Sequence, residues 1–377
     1  MGSQTSKGVL EHSNNQKEEK GGSSDISLTV DCLGALSKDP MKEIDLDVDL
    51  LDEDKLKTDS LLLFKSIRPD WRAENIHWKV FTDGITNKLM GAWCGDNKED
   101  TVLIRVYGIG TEKIIDRKVE VENMVMYHKL GPGSKLYATF NNGICYQFLH
   151  GDLVSQDNVF TPEVSRAVAR GMAQLHTVPC TSGQPVMWER LEQFINVCNP
   201  DLCEKLARGW ATREQLRQEA SLLRAHLEFS SSPVVFCHND ALLANIVILP
   251  NNNEVAFIDL EYGAPNYAAF DIANHFCEFT GADGHLDYSR WLPNEDYQLG
   301  WIDEYLRHKT GQTPSEAEVL EVYNSVRKFM LCAHLQWSIW SVIQAENSSL
   351  DFDFVDYALQ RFQQYKRWKS AVGITRT

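Results

Sequence analysis

The chain has 377 residues, 43% hydrophobic and 24% charged, with a formal net charge of −16. That length and apolar content support a sizeable core divided between two lobes, and the acidic balance excludes a general nucleic-acid binder, which needs a basic face. Nine cysteines without a Cys-x-x-Cys pair read as reduced thiols of a cytoplasmic protein, and without an eighteen-residue apolar run no membrane insertion is expected.

Residues 1–57 read as a polar and acidic tail. Up to about residue 26 it carries too few apolar side chains to offset the entropy of ordering, so the tail is expected to be largely disordered. Gly2 with Ser6 fits an N-myristoylation signal or is a chance match on a polar tail; one acyl chain would anchor only weakly and reversibly. Glu43 to Leu50 alternates apolar and acidic residues, which suits a short strand against the first lobe or a solvated tail.

Residues 58–149 form the expected N-lobe. Ile76–Phe81, Leu89–Cys94 and Thr101–Tyr107 read as strands. Ile115–Leu130 has helical apolar spacing and stops at Gly131-Pro132-Gly133. Leu136–Phe140 and Ile144–Phe148 flank Asn141-Asn142-Gly143, a strong hairpin signal. An antiparallel sheet with one helix inserted after its third strand results. Residues 150–377 read as a mainly helical C-lobe, with amphipathic runs at 164–176, 191–194, 213–229 and 314–347. Short strands interrupt it at Val234–Cys237 and Val255–Ile258.

The sharpest constellation follows the first of those strands. His238-Asn239-Asp240 is delivered into a loop, Asn245 comes five residues after Asp240, and the next strand ends on Asp259 with Glu261 two further on. Phosphoryl transfer to an alcohol needs this set: one carboxylate to orient the hydroxyl and accept its proton, and an amide oxygen with a second carboxylate to hold Mg²⁺ against phosphates. The Asp240–Asn245 separation equals that of the catalytic loop of protein kinases. The bland alternative is a loop rich in caps and turns.

Arg105, in mid-strand, offers a charge to phosphates, and Glu120 on the following helix is placed to pair with it; a solvated surface pair is the alternative. Gly84, Thr86 and Asn87 lie in a loop that either covers phosphates with backbone N–H groups or is a plain hairpin turn. Gln147, Phe148 and Leu149 mark a strand end suited to an inter-lobe hinge at adenine. Asp271, Asn274, His275 and Glu278 share neighbouring helical faces; without a His-Glu-x-x-His motif or cysteine pair, His275 reads as a core histidine rather than a metal ligand. Trp337 and Trp340 at i, i+3, with Tyr357 on the next helix, are either core packing or a cage for an organic cation.

Three stretches of this chain resemble the choline/ethanolamine kinase family: Val234–Asp240 with Asn245; Ile258–Tyr262 through Asn266-Tyr267, Phe270–Ile272 and Asn274–Glu278; and His334–Ala345 with Asp351–Phe354 and Tyr357-Ala358. The resemblance covers roughly residues 60–370. It implies a two-lobed protein-kinase-like α+β fold, with a small antiparallel β N-lobe and a larger helical C-lobe, ATP as phosphate donor and Mg²⁺ as cofactor. It implies Asp240 as catalytic base, Asn245 and Asp259 as metal ligands with Glu261 beside them, Arg105 and Gln147–Leu149 at the nucleotide, and Tyr262, Glu278, Trp337, Trp340 and Tyr357 around the amine. Thr82–Lys88, Thr139–Tyr146 and Leu242 are similar to ethanolamine kinases, which implies phosphorylation of ethanolamine at the start of phosphatidylethanolamine synthesis. Leu260, Ala273, Ala241 and Ala244 depart from the family pattern without removing a chemical group. A choline or dual-specificity kinase and a pseudokinase-like binding protein are the alternatives, and a homodimer stands beside a monomer.

Overall fold

The computed structural model describes residues 41–49, 52–81, 88–108, 115–180, 183–250, 254–281, 285–348 and 350–374. The disorder and lipidation expected before residue 41 and the phosphate-loop candidates Gly84, Thr86 and Asn87 lie outside the described residues. Among these, the N-lobe contains β1 (Lys42–Ile44), α1 (Glu53–Ile67), β2 (Ile76–Phe81), β3 (Lys88–Cys94), β4 (Val102–Val106), α2 (Arg117–Leu130), β5 (Leu136–Phe140) and β6 (Gly143–Gln147). They build a six-stranded sheet in the order β1-β5-β6-β4-β3-β2. All its pairings are antiparallel except β1 with β5.

β1 lies within the residues read as tail, where a short strand against the first lobe is one of the two readings. Lys42–Ile44 pairs with Ala138–Phe140, and α1 opens with Asp52 capping the amides of Asp54 and Lys55. The physical reason lies in the hairpin turn. Asn142 exchanges two hydrogen bonds with the Val48 backbone, and the Asn141 amide donates to Asp45 and Asp47, so acidic residues that read as solvated are tied down.

Period-2 alternation decides what β4 presents. Val102, Ile104 and Val106 join Leu56, Leu63 and Phe64 of α1 in one apolar cluster. Leu103 faces the other way, into the cluster that holds Met124 and Tyr127 of α2, and Arg105 shares its parity. Close packing behind Arg105 depends on Gly143, where a Cβ would meet the carbonyl oxygen of Arg105 and the ring of Phe140. Gly143→Ala should therefore cost about 1–3 kcal/mol, the usual range for overpacking. A lowered thermal midpoint is the expected readout, and an unchanged one would contradict the packing argument.

The remainder is mainly helical: β7 (Asp152–Leu153), α3 (Pro162–Leu175), α4 (Met187–Val197), α5 (Glu204–Gly209), α6 (Arg213–Leu227), β8 (Val234–Cys237), β9 (Ile246–Ile248), β10 (Val255–Phe257), β11 (Ala264–Tyr267), α7 (Ala268–Cys277), α8 (Tyr288–Trp291), α9 (Glu295–Thr310), α10 (Glu316–Asn347) and α11 (Phe354–Val372). A Ser315–Glu318 capping box starts α10. From Phe329 to Gln344 every residue of α10 is buried, His334, Gln336, Ser338, Ser341 and Gln344 included; it packs against α7 and α11. Two small sheets, β10-β9-β7 and β11-β8, carry the loops that follow β8 and β10.

Candidate active site

β8 ends at Cys237, held antiparallel to β11, and the chain then bends sharply. Asn239 is left-handed, with φ 65°, a strained conformation that needs support. Support comes from Asp271, fully buried on α7. Its carboxylate accepts from the amides of His238 (2.8 Å) and Asn239 (2.7 Å) and lies 3.1 Å from His176 Nε2. Burial is the strongest single influence and opposes this charge, but His176 and His238 together outweigh it and hold the carboxyl below its ordinary value. The Asn239 side chain donates to the Tyr262 carbonyl (2.9 Å) and accepts from Asn266 (2.7 Å). His238 bonds the Ile258 carbonyl through Nε2 (2.9 Å), and burial lowers its pKa. It braces the loop as a neutral imidazole.

Asp240 is the group this scaffold presents. Burial, followed by the charges of Glu278 and Asp259, pushes its carboxyl well above the usual carboxylate range. Asn245 donates through Nδ2 to the Asp240 backbone oxygen (3.0 Å) and carboxylate (3.4 Å). Its backbone carbonyl accepts from the Ile258 amide (2.9 Å), which ties it to the strand leading to Asp259. Asp259 is also left-handed, with φ 62°.

Two arginines organise the acidic groups beyond. Arg105 pairs with Glu120 and reaches Asp259 at 2.7 Å. Burial is the strongest single influence and works against the Arg105 charge, but Asp259 together with Tyr146, Glu261 and Tyr107 overrides it and raises its pKa. Arg105 and Glu120 are 5% and 0% exposed, which rules out the solvated surface pair. Glu120 has no surface to offer a nucleotide, so it bears on the site through the arginines. Arg117, unnoticed in the sequence, bridges Glu120 (2.9 Å) and Glu261 (3.0 Å), its guanidinium over the Tyr107 ring. Carboxylate oxygens of Glu120, Asp259 and Glu261 lie within 4.8 Å of one another.

At the strand end after β6, the amides of Gln147 and Phe148 are bonded to the carbonyls of Lys135 and Thr101. Leu149 then follows, half-buried, at the junction of the lobes.

Tyr262, Trp337 and Trp340 form a contacting ring cluster. Trp337 donates its indole N–H to Asn274 (2.6 Å) and Trp340 donates to the Tyr262 hydroxyl (2.9 Å). Both rings are thereby fixed. The Trp337–Trp340 and Tyr262–Trp337 pairs are near perpendicular, at 5.4 and 5.6 Å between centroids. Glu278 stands just past α7, and one of its oxygens is taken by Arg361 of α11 at 2.7 Å. The sequence reading missed Arg361, although its i+4 spacing from Tyr357 was a usable signal. His275 is a buried histidine on the Ala241 carbonyl, driven down to about 4 by burial.

Comparison with known proteins gives consistent matches. The sequence profile of the choline/ethanolamine kinase family matches residues 78–366. Ethanolamine kinase 2 of Rattus norvegicus is 38% identical over 325 residues, spanning 86% of this chain and 84% of the relative. Ethanolamine kinase 1 of Homo sapiens is 35% identical over 334 residues, spanning 85% of this chain and 74% of the relative. Among solved structures, an ethanolamine kinase of Plasmodium vivax superposes with a TM-score of 0.74 at 25% identity, covering 84% of this chain and 89% of its own. A choline kinase of Cryptosporidium parvum has a TM-score of 0.71 at 22% identity, covering 86% and 98%, a likeness of fold.

Proposed function

The chain belongs to the choline/ethanolamine kinase family, and from that premise we propose that it is an ethanolamine kinase, transferring the γ-phosphate of ATP to the hydroxyl of ethanolamine to give phosphoethanolamine and ADP. The observation that carries this reading is the Asp240 carboxylate held by Asn245 in a loop where the charges of Glu278 and Asp259 both bear on it. Asp259 suits a metal and phosphates, and Glu278 suits an organic cation.

In the proposed reaction Asp240 accepts the hydroxyl proton as the oxygen bonds to the γ-phosphorus and the bond from that phosphorus to ADP breaks. Arg105 supplies positive charge to the phosphates, and Leu149 at the hinge offers its backbone to adenine. The donor set fits Mg²⁺: Asn245 uses its Nδ2 on Asp240, which leaves Oδ1, and Arg105 takes only one oxygen of Asp259, so two hard oxygens remain. When bound, the ion would draw negative charge from the phosphates. Glu261 stands beside this pair.

Among the described residues no helix is long and apolar enough to cross a membrane. Their cysteines are all free, which accords with the proposed cytoplasmic setting and with a product that enters phosphatidylethanolamine synthesis.

Choline is the second candidate, because the ring cluster suits a quaternary ammonium and Arg361 already occupies one Glu278 oxygen. Glu278 still offers an acceptor to N–H donors that choline lacks, and a site built on such bonds rejects the analogue without them. Purified protein with Mg-ATP should show a kcat/KM for ethanolamine at least about tenfold that for choline, or about 1.4 kcal/mol. Equal or better use of choline would overturn the substrate and leave the kinase standing.

A further inference from the structure

Arg361 is a charged side chain with no solvent exposure. Its Nη1 donates to Glu278 Oε1 at 2.7 Å and lies 3.4 Å from the Tyr357 hydroxyl, and Nη2 donates to the Ala333 carbonyl at 3.3 Å. One guanidinium thus joins three elements of the amine end: the turn after α7, α10 four residues before Trp337, and α11 at Tyr357. Burying a charge is expensive, and well-packed apolar residues often serve stability as well as a buried ion pair does. The position of the pair suggests another use. Glu278 and Tyr357 retain 7% and 8% exposure while Arg361 retains none, so the cationic half of the pair lies behind the acidic one.

We propose that Arg361 is a positioning residue for amine recognition, holding Oε1 of Glu278 so that Oε2 is the acceptor presented to a primary ammonium. The proposal rests on the ethanolamine reading and deepens it. A free carboxylate attracts any monocation by charge, so it discriminates poorly between a primary and a quaternary amine. A carboxylate partly neutralised from behind attracts less by charge and more by direction. Direction rewards N–H donors, which ethanolamine has and choline lacks. Burial is the strongest single influence and opposes the Arg361 charge, but Glu278 together with Tyr288, Tyr357 and Cys277 outweighs it and raises the Arg361 pKa; the guanidinium is a permanent partner.

The test is steady-state kinetics of Arg361→Lys with ethanolamine, choline and ATP each varied in turn. Lysine keeps the charge but loses the planar fork that fixes one oxygen. KM for ethanolamine should rise at least about tenfold and KM for ATP move less than about twofold, with the ethanolamine-to-choline ratio of kcat/KM falling at least about fivefold. The double variant Glu278→Gln with Arg361→Met removes both buried charges together. It should melt cooperatively yet also lose the discrimination. Wild-type discrimination in either folded variant, or parallel rises in both KM values, would overturn the proposal. So would failure of both variants to fold, which would make Arg361 a requirement of the fold itself. A wild-type protein that prefers choline sinks the substrate reading before any variant is made; one that prefers ethanolamine beside an equally selective Arg361→Lys sinks this proposal alone.

Discussion

Asp240→Asn should lower turnover by at least about a hundredfold, the scale of a lost general base, while the protein stays folded and still binds ATP. The surroundings of the carboxylate separate chemistry from structure. The bonds that shape the loop run through the Asp271 carboxylate, the His238 ring and the Asn239 amide, none of which the substitution touches. An asparagine oxygen can still accept from Asn245 as the present carboxylate does. The buried carboxyl also lies under the negative charges of Glu278, Asp259 and Glu261. Replacing it with a neutral amide removes a desolvated charge and its repulsions, so the thermal midpoint should hold or rise. Near-normal turnover in a folded Asp240→Asn protein would remove Asp240 from the role.

Short-range information carried much of this site. Asp240 and Asn245 are five residues apart, and Asp259 follows the next hairpin, so two strand ends and the connecting turn bring them together. Strand alternation likewise placed Arg105 and Leu103 on one face. The residues that sequence reading missed are those whose partners are far along the chain. Arg117 meets Glu261 across 144 residues and Arg361 meets Glu278 across 83, and only the i+4 spacing of Arg361 from Tyr357 hinted at either. The aromatic pair was legible as a stripe, but the partners of its indole N–H groups, Asn274 and Tyr262, lie far along the chain and were not. β1 stayed one of two readings for a similar reason: its partner strand and the asparagines that clamp the segment after it lie nearly a hundred residues later.

The left-handed backbone at Asp259 leads to the last expectation. A non-glycine residue at φ 62° costs free energy that other contacts must offset, and here the strained residue is the proposed metal ligand. Asp259→Ala should lower Mg²⁺-dependent turnover by at least about a thousandfold, since the ion supplies several kcal/mol of charge stabilisation. Asn245→Ala should act more mildly and raise the Mg²⁺ concentration needed for half-maximal rate. Asp259 also accepts from Arg105, so loss of that ion pair is a rival cause. Arg105 keeps Glu120 in the variant, and Glu120 is in turn fixed by Arg117. The guanidinium therefore stays in place when Asp259 is removed, and the metal requirement should change more than the KM for ATP. Mg²⁺ titrations of both variants decide the matter. If both retain the wild-type titration curve, the ion is held elsewhere and the strain at Asp259 serves only the turn after β10.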